Sequence, residues 1–174
     1  NAKLRDVIAK AKAANMPNDN INRSIKKAAG ETGSVNYEEF TYEGYGPGNM
    51  AVYVEIVTDN RNRISAEMKH LFSKAGGNLG ASGSVAWMFD KKGQIVVERT
   101  ALMDEDEVMM QALDAGAEDF VAQEDVFEIY TSPAEFSKVR EALESAGYTF
   151  LKAEVAMIPQ NTVNITDPEV VEKV

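Results

Sequence analysis

From Gln94 to Met157 the apolar pattern changes period repeatedly, and that order constrains the fold more than any other feature of the chain. Strand-like alternation over Gln94–Arg99 gives way to a helical stripe over Asp104–Ala115, then strands at Asp119–Ala122 and Val126–Thr131. A helix over Pro133–Ala146 and a strand over Tyr148–Met157 complete the series. The order β-α-β-β-α-β predicts a ferredoxin-like split βαβ unit. Ser132-Pro133-Ala134-Glu135 reads as a capping box with proline at the first helical position. Phe136, Val139, Leu143 and Ala146 form the predicted buried stripe of that helix. Asp104-Glu105-Asp106-Glu107 places acids at a helix N-terminus, where the macrodipole favours them.

Before this unit, Leu4, Val7, Ile8 and Ala11 recur at helical spacing and predict a helix over residues 3–14. Asn15-Met16-Pro17-Asn18 breaks it, because proline disfavours a helical residue before it. A second helix, Asn18–Ala29, turns Ile21, Ile25 and Ala28 inward and stops at Gly30. Residues 31–36 read as a linker. Strands at Tyr37–Tyr45 and Ala51–Thr58 follow, then a helix over Asn60–Ala75 with Ile64, Met68, Leu71 and Ala75 inward. A short strand is expected at Val85–Phe89. Three turns punctuate this stretch: Tyr42-Glu43-Gly44-Tyr45-Gly46-Pro47-Gly48, Thr58-Asp59-Asn60-Arg61-Asn62-Arg63 and Gly76-Gly77-Asn78-Leu79-Gly80. The first and third suit a defined backbone shape, and the second adds two arginines.

Charge divides the chain unevenly. Net charge is -10, yet residues 1–29 carry seven basic and two acidic side chains, so that segment stands at +5 and the remainder at -15. Arg23, Lys26 and Lys27 lie opposite the apolar face of the second helix, and Lys3, Arg5, Lys10 and Lys12 flank the stripe of the first. A basic module on an acidic body suits polyanion binding at one end. Phosphate contacts of this kind position a protein without reading sequence.

Chemistry of other kinds finds little support. The absence of cysteine excludes disulfides, thiol catalysis and thiolate zinc sites. It also fits a cytoplasmic protein, and no apolar run approaches the roughly 20 residues of a membrane span. His70, the single histidine, sits among Arg63, Glu67 and Lys74 at spacings typical of exposed helix ion pairs. No Ser/His/Asp arrangement is recognisable. Asp104–Glu107 could ligate a hard cation, but helix-end charge accounts for it. The Gly-Pro-Gly loop lacks the Lys-Ser/Thr of a phosphate-binding loop, and a strand follows where a helix would be required.

The three turns, together with Gly83-Ser84-Val85, Lys10-Ala11-Lys12-Ala13-Ala14-Asn15-Met16-Pro17, Ala115-Gly116-Ala117-Glu118-Asp119 and Met157-Ile158-Pro159, resemble those of the YebC/PmpR family over essentially the whole chain. The mitochondrial translational activator of cytochrome c oxidase belongs to the same group. The resemblance implies an N-terminal helical bundle, an α/β domain and a ferredoxin-like domain inserted within the second. Family members are described as DNA-binding transcriptional regulators. They are also linked to translation, as ribosome-associated factors that help synthesis through proline-rich stretches, and the family is not known for enzymes. Asn49 stands where the family commonly has another glycine. The family's basic Gly-His-Ser-Lys-Trp start is absent, which implies weaker nucleic-acid binding than in the intact protein. The C-terminal end also reads as cut short.

The expected architecture is therefore α/β (α+β), in three parts. These are a basic helical domain with its linker (1–35), an α/β domain (36–92 with 158–174) and an inserted βαββαβ domain (93–157). The expected function is nucleic-acid-binding regulation of gene expression, without catalytic residues, metal or cofactor, by a cytoplasmic monomer. Lys3, Arg5, Lys10, Lys12, Arg23, Lys26, Lys27, Arg61 and Arg63 are its candidate contacts to DNA or ribosomal RNA. The alternatives are a ribosome-docking translation factor, with Arg61 and Arg63 in contact with RNA, and a small-molecule sensor built on the insert. No membrane partner is expected.

Overall fold

The computed structural model describes residues 2–30 and 37–174, so the linker expected at 31–36 lies outside the described residues. Two helices open the chain, α1 (Ala2–Ala13) and α2 (Asn18–Gly30). The chain turns between them with Asn15 at φ +58°, in the left-handed region that asparagine tolerates better than most residues. The chain forms two compact units: the segment up to Lys26 with Lys91–Ile158, and Lys27–Asp90 with Pro159–Val174.

The first unit contains a four-stranded sheet of order β5-β6-β4-β7, with β4 at Phe89–Glu98, β5 at Asp119–Ala122, β6 at Val126–Thr131 and β7 at Phe150–Pro159. Helices α4 (Glu105–Ala115) and α5 (Phe136–Ser145) supply the remaining members of the βαββαβ order. β6 pairs antiparallel with both β4 and β5. The core is one cluster of Ile95, Val97, Val108, Ala112, Phe127, Ile129, Phe136, Val139 and Leu143. Every other residue of β6 is buried, as a sheet with one covered face requires.

Several expectations shift in detail. The strand expected at Val85–Phe89 is instead a 3-10 turn at Ala86–Met88, and the strand expected at Gln94–Arg99 is β4, which starts earlier, at Phe89, and ends at Glu98. Gly93 is why the chain can stay extended there: a Cβ at that position would lie 2.2 Å from Thr131 Oγ1 and 2.7 Å from the Phe136 ring. The helix expected from Pro133 starts at Phe136, after a turn in which Ser132 Oγ accepts from the Glu135 amide at 3.3 Å. The last strand begins at Phe150 rather than Tyr148 and runs to Pro159.

In the second unit β1 (Glu38–Tyr45) and β2 (Ala51–Thr58) form an antiparallel hairpin, from Tyr45 opposite Ala51 to Glu38 opposite Thr58. The hairpin turns through a short 3-10 segment at Pro47–Asn49, where Gly48 and Asn49 take φ of +67° and +63°. Two successive left-handed positions suit glycine and asparagine, which is why Asn49 is accommodated. α3 (Arg61–Lys74) follows, and the two-residue β3 (Asn78–Leu79) joins the sheet beside β1. On α3 the inward face is rotated by one residue from the expected stripe. Phe72 is buried, Ile64 and Met68 are half-buried, and Leu71 and Ala75 are exposed. Phe72 wins because its ring meets the bare backbone of Gly44. α6 (Pro168–Val171) closes the unit, capped by Asp167 accepting from the Glu169 amide at 2.9 Å.

Candidate nucleic-acid interface

All seven cations of the two N-terminal helices are exposed. Among the described residues Lys3, Lys12, Arg23 and Lys26 have no ion-pair partner. Arg23 and Lys26 project from α2 on the side away from Ile21, which is 7% exposed. Lys27 follows them on the same helix. The second helix thus carries its apolar anchor and its cations on separate faces.

Helix α1 departs from the expected amphipathic pattern. Leu4 and Val7 are 42% and 63% exposed, whereas Asp6, Ile8, Ala9 and Ala11 are half-buried. A carboxylate sits on the covered face because α5 presents an arginine there. Arg140 Nε lies 3.8 Å from Asp6 Oδ1, and Ser137 Oγ donates to Asp6 Oδ2 at 2.8 Å. Two of the candidate contacts are likewise engaged: Arg5 Nη1 lies 3.7 Å from Glu141 Oε1, and Lys10 Nζ donates to Glu154. The Lys10 hydrogen bond is the main reason that the Glu154 carboxyl titrates below the usual carboxylate range, assisted by Lys152.

Arg61 and Arg63 belong to the second unit, just beyond the end of β2. Arg61 places its guanidinium 5.1 Å from the centre of the Phe40 ring, and Arg63 pairs with Asp59 at 3.6 Å rather than with Glu67. Asn60 Oδ1 accepts from the Arg63 amide at 3.1 Å and fixes the helix start beneath both arginines. This turn and the Pro47–Asn49 turn sit at opposite ends of the eight-residue β2. The strand rise separates them by roughly 25 Å.

The remaining glycine turns do different work. Glu43, only 3% exposed, accepts from the Gly83 amide at 2.7 Å, the Val85 amide at 2.9 Å and the Ala86 amide at 2.7 Å. The Gly83 hydrogen bond leads in holding the Glu43 carboxyl below the usual range, against the opposing effect of its burial. A Cβ on Gly44 would sit 2.4 Å from the Asn78 carbonyl oxygen, and one on Gly77 would sit 2.4 Å from that of Tyr45. The first and third turns are therefore one knot, built by backbone crossing backbone around a buried anion. Sequence reasoning singled out the glycines but passed over Glu43. Its only signal was an acid between Tyr42 and Gly44 in a strand. Elsewhere Asp104 Oδ1 caps α4 through the Glu107 amide at 3.1 Å, and His70 is exposed. Among the described residues no group of three or more His, Asp or Glu side chains could hold a metal ion.

A model described as the TACO1/YebC protein N-terminal domain matches residues 1–31, and one described as the TACO1/YebC second and third domain matches residues 37–174. The chain belongs to the TACO1/YebC family. Relatives in this family include a "Probable transcriptional regulatory protein" of Acetivibrio thermocellus, 63% identical over 172 residues that make up 99% of this chain and 71% of the relative. A protein of the same description from Clostridium novyi is 66% identical over 159 residues, 91% of this chain and 65% of that one. The crystal structure of a conserved hypothetical protein from Aquifex aeolicus superposes with a TM-score of 0.83 at 48% identity, covering this whole chain and 71% of that chain. The family and the mixed α/β fold with N-terminal helices are thereby shown. No described helix is long and apolar enough to cross a membrane.

Proposed function

We propose that this chain is a non-enzymatic, cytoplasmic regulator of gene expression that binds nucleic acid through the outward faces of α1 and α2. The concentration of cations on those helices, beside a body of opposite charge, is the observation that carries the reading. The regulatory names of its relatives agree with it. Arg23, Lys26 and Lys27 supply phosphate contacts, with Lys3 and Lys12 extending the track along α1. In this reading residues 1–35 bind, while 36–92 with 158–174 and the insert 93–157 are the parts they serve.

Replacing Arg23, Lys26 and Lys27 with Glu is expected to weaken binding to duplex DNA or RNA strongly. The salt dependence should flatten as well, with log K against log salt losing about 0.7–0.9 per phosphate contact removed. Titrations across a salt series measure both, and unchanged affinity and slope would remove the helices from the interface.

The second reading is a ribosome-associated translation factor in which Arg61 and Arg63 meet ribosomal RNA. Its support is the display of Arg61 on the Phe40 ring, which holds a planar phosphate-pairing fork at the surface. Co-purification of ribosomal RNA and ribosomal proteins, rather than promoter DNA, would favour it.

A further inference from the structure

We propose that the acidic ferredoxin-like unit acts as a phosphate mimic toward α1. It docks that helix through cations that nucleic acid would otherwise take, so that docking and polyanion binding compete. The proposal rests on the reading of α1 and α2 as the nucleic-acid surface.

Three observations carry it. The first is the identity of the docking contacts. Arg5 meets Glu141, Lys10 meets Glu154, and Asp6 meets Arg140 and Ser137. Carboxylate and phosphate oxygens satisfy Arg and Lys in the same charge-assisted way, so one can replace the other. The second is that little else holds the helix. None of the described side chains of α1 is fully buried: Ile8, Ala9 and Ala11 are half-buried, and Leu4 stays 42% exposed. A helix held by packing would bury a continuous apolar stripe, and this one leaves Val7 exposed.

The third is that both insert carboxylates that hold the α1 cations, Glu154 and Glu141, have a second cation within the insert itself. Glu154 also pairs with Lys152 at 3.3 Å, and Glu141 also lies 3.8 Å from Arg140. Arg140 in turn keeps Glu144 at 3.0 Å. Releasing α1 therefore strands no buried charge, which is the usual large cost of breaking an ion pair. Lys3 and Lys12, exposed and without an ion-pair partner among the described residues, remain available for first encounter with phosphate while Arg5 and Lys10 are docked. Polyanion then takes over Arg5 and Lys10 as the carboxylates fall back on their own cations.

A mutant cycle on the full chain tests this, with a mixed-sequence single-stranded RNA and duplex DNA of the same sequence as probes. Glu141→Gln with Glu154→Gln preserves shape and removes the competing charge. The pair of substitutions is expected to tighten binding by about fivefold at low salt, an effect that fades as salt screens the pairs. In an Arg5→Ala, Lys10→Ala background the same two substitutions should give no gain. Asp6→Asn, which touches no proposed phosphate contact, should also tighten binding, by about twofold.

An equal gain in both backgrounds would show a general charge effect and overturn the competition. No gain in either, while Arg5→Ala with Lys10→Ala still weakens binding, would overturn the competition and leave the nucleic-acid surface standing. Failure of both probes to bind any variant would overturn the surface itself. Thermal melts of each variant separate lost binding from lost folding.

Discussion

The ferredoxin-like unit and the β1–β2–β3 unit hold their shapes by opposite means. The first buries nine apolar side chains in one cluster contributed by two strands and two helices. The second, among its described residues, fully buries only Phe72 and Val85 of its large apolar side chains, together with Glu43, Thr58 and Gly44. Where the insert excludes water by packing side chains, the second unit brings backbone against backbone and ties the crossing with an anion. A core of the first kind is sensitive to lost volume. A knot of the second kind is sensitive to an added methyl group or a lost charge.

The largest effect should come from opening the apolar core. Phe136→Ala removes a ring that is 1% exposed, and the expected cost is about 3–5 kcal/mol. Amide exchange along β4 and β6 should rise, whereas fluorescence of Trp87, the single tryptophan, should stay native because it reports on the second unit. Loss of both signals together would mean that the two units do not unfold separately, and the contrast would break.

Glu43→Gln should do the converse at somewhat lower cost, about 2–3 kcal/mol, since a neutral amide cannot accept three amide protons as the carboxylate does. The sign of its pH dependence follows from the depressed carboxyl. The ionised knot contributes its full stability above the ordinary value of 4.5 and loses it as pH falls through the lower native value. Acid melts followed at Trp87 should therefore steepen below pH 4.5 in the parent chain and flatten in the variant. Equal slopes would show that Glu43 is not the group that responds to acid.

The smallest of the three should be Gly44→Ala, at about 1–3 kcal/mol, because the Phe72 ring can yield while the Asn78 carbonyl must shift with β3. If Gly44→Ala left the Trp87 signal and melting unchanged, close backbone approach would not be what holds this unit.

What could be read in advance follows the same division. In the insert, the alternation over Gln94–Arg99 announced a strand, and the spacing of Phe136, Val139, Leu143 and Ala146 announced a helix with a covered face, of which Phe136, Val139 and Leu143 are buried and Ala146 is exposed. Periodicity is a local property, and a core made of side chains writes itself into local pattern. The same signal misjudged α1, where Leu4 and Val7 fit the period and yet Asp6 faces inward. It also missed by one residue on α3, where Phe72 displaced Leu71.

The cations were legible as candidates because charge can be counted along a chain. Their division into docked and open was not. Arg5 and Lys10 meet carboxylates more than a hundred residues away, and no spacing rule reaches that far. Glu43 was illegible for the same reason, since three amide donors from Gly83, Val85 and Ala86 become its partners only when β1 and the following turns meet. The sequence by itself determined the insert's element order, most of the covered face of its second helix, the basic end and the need for glycine at the turns. Tertiary structure decided which charges are already satisfied, because a side chain's partner is set by where the whole chain places it in space.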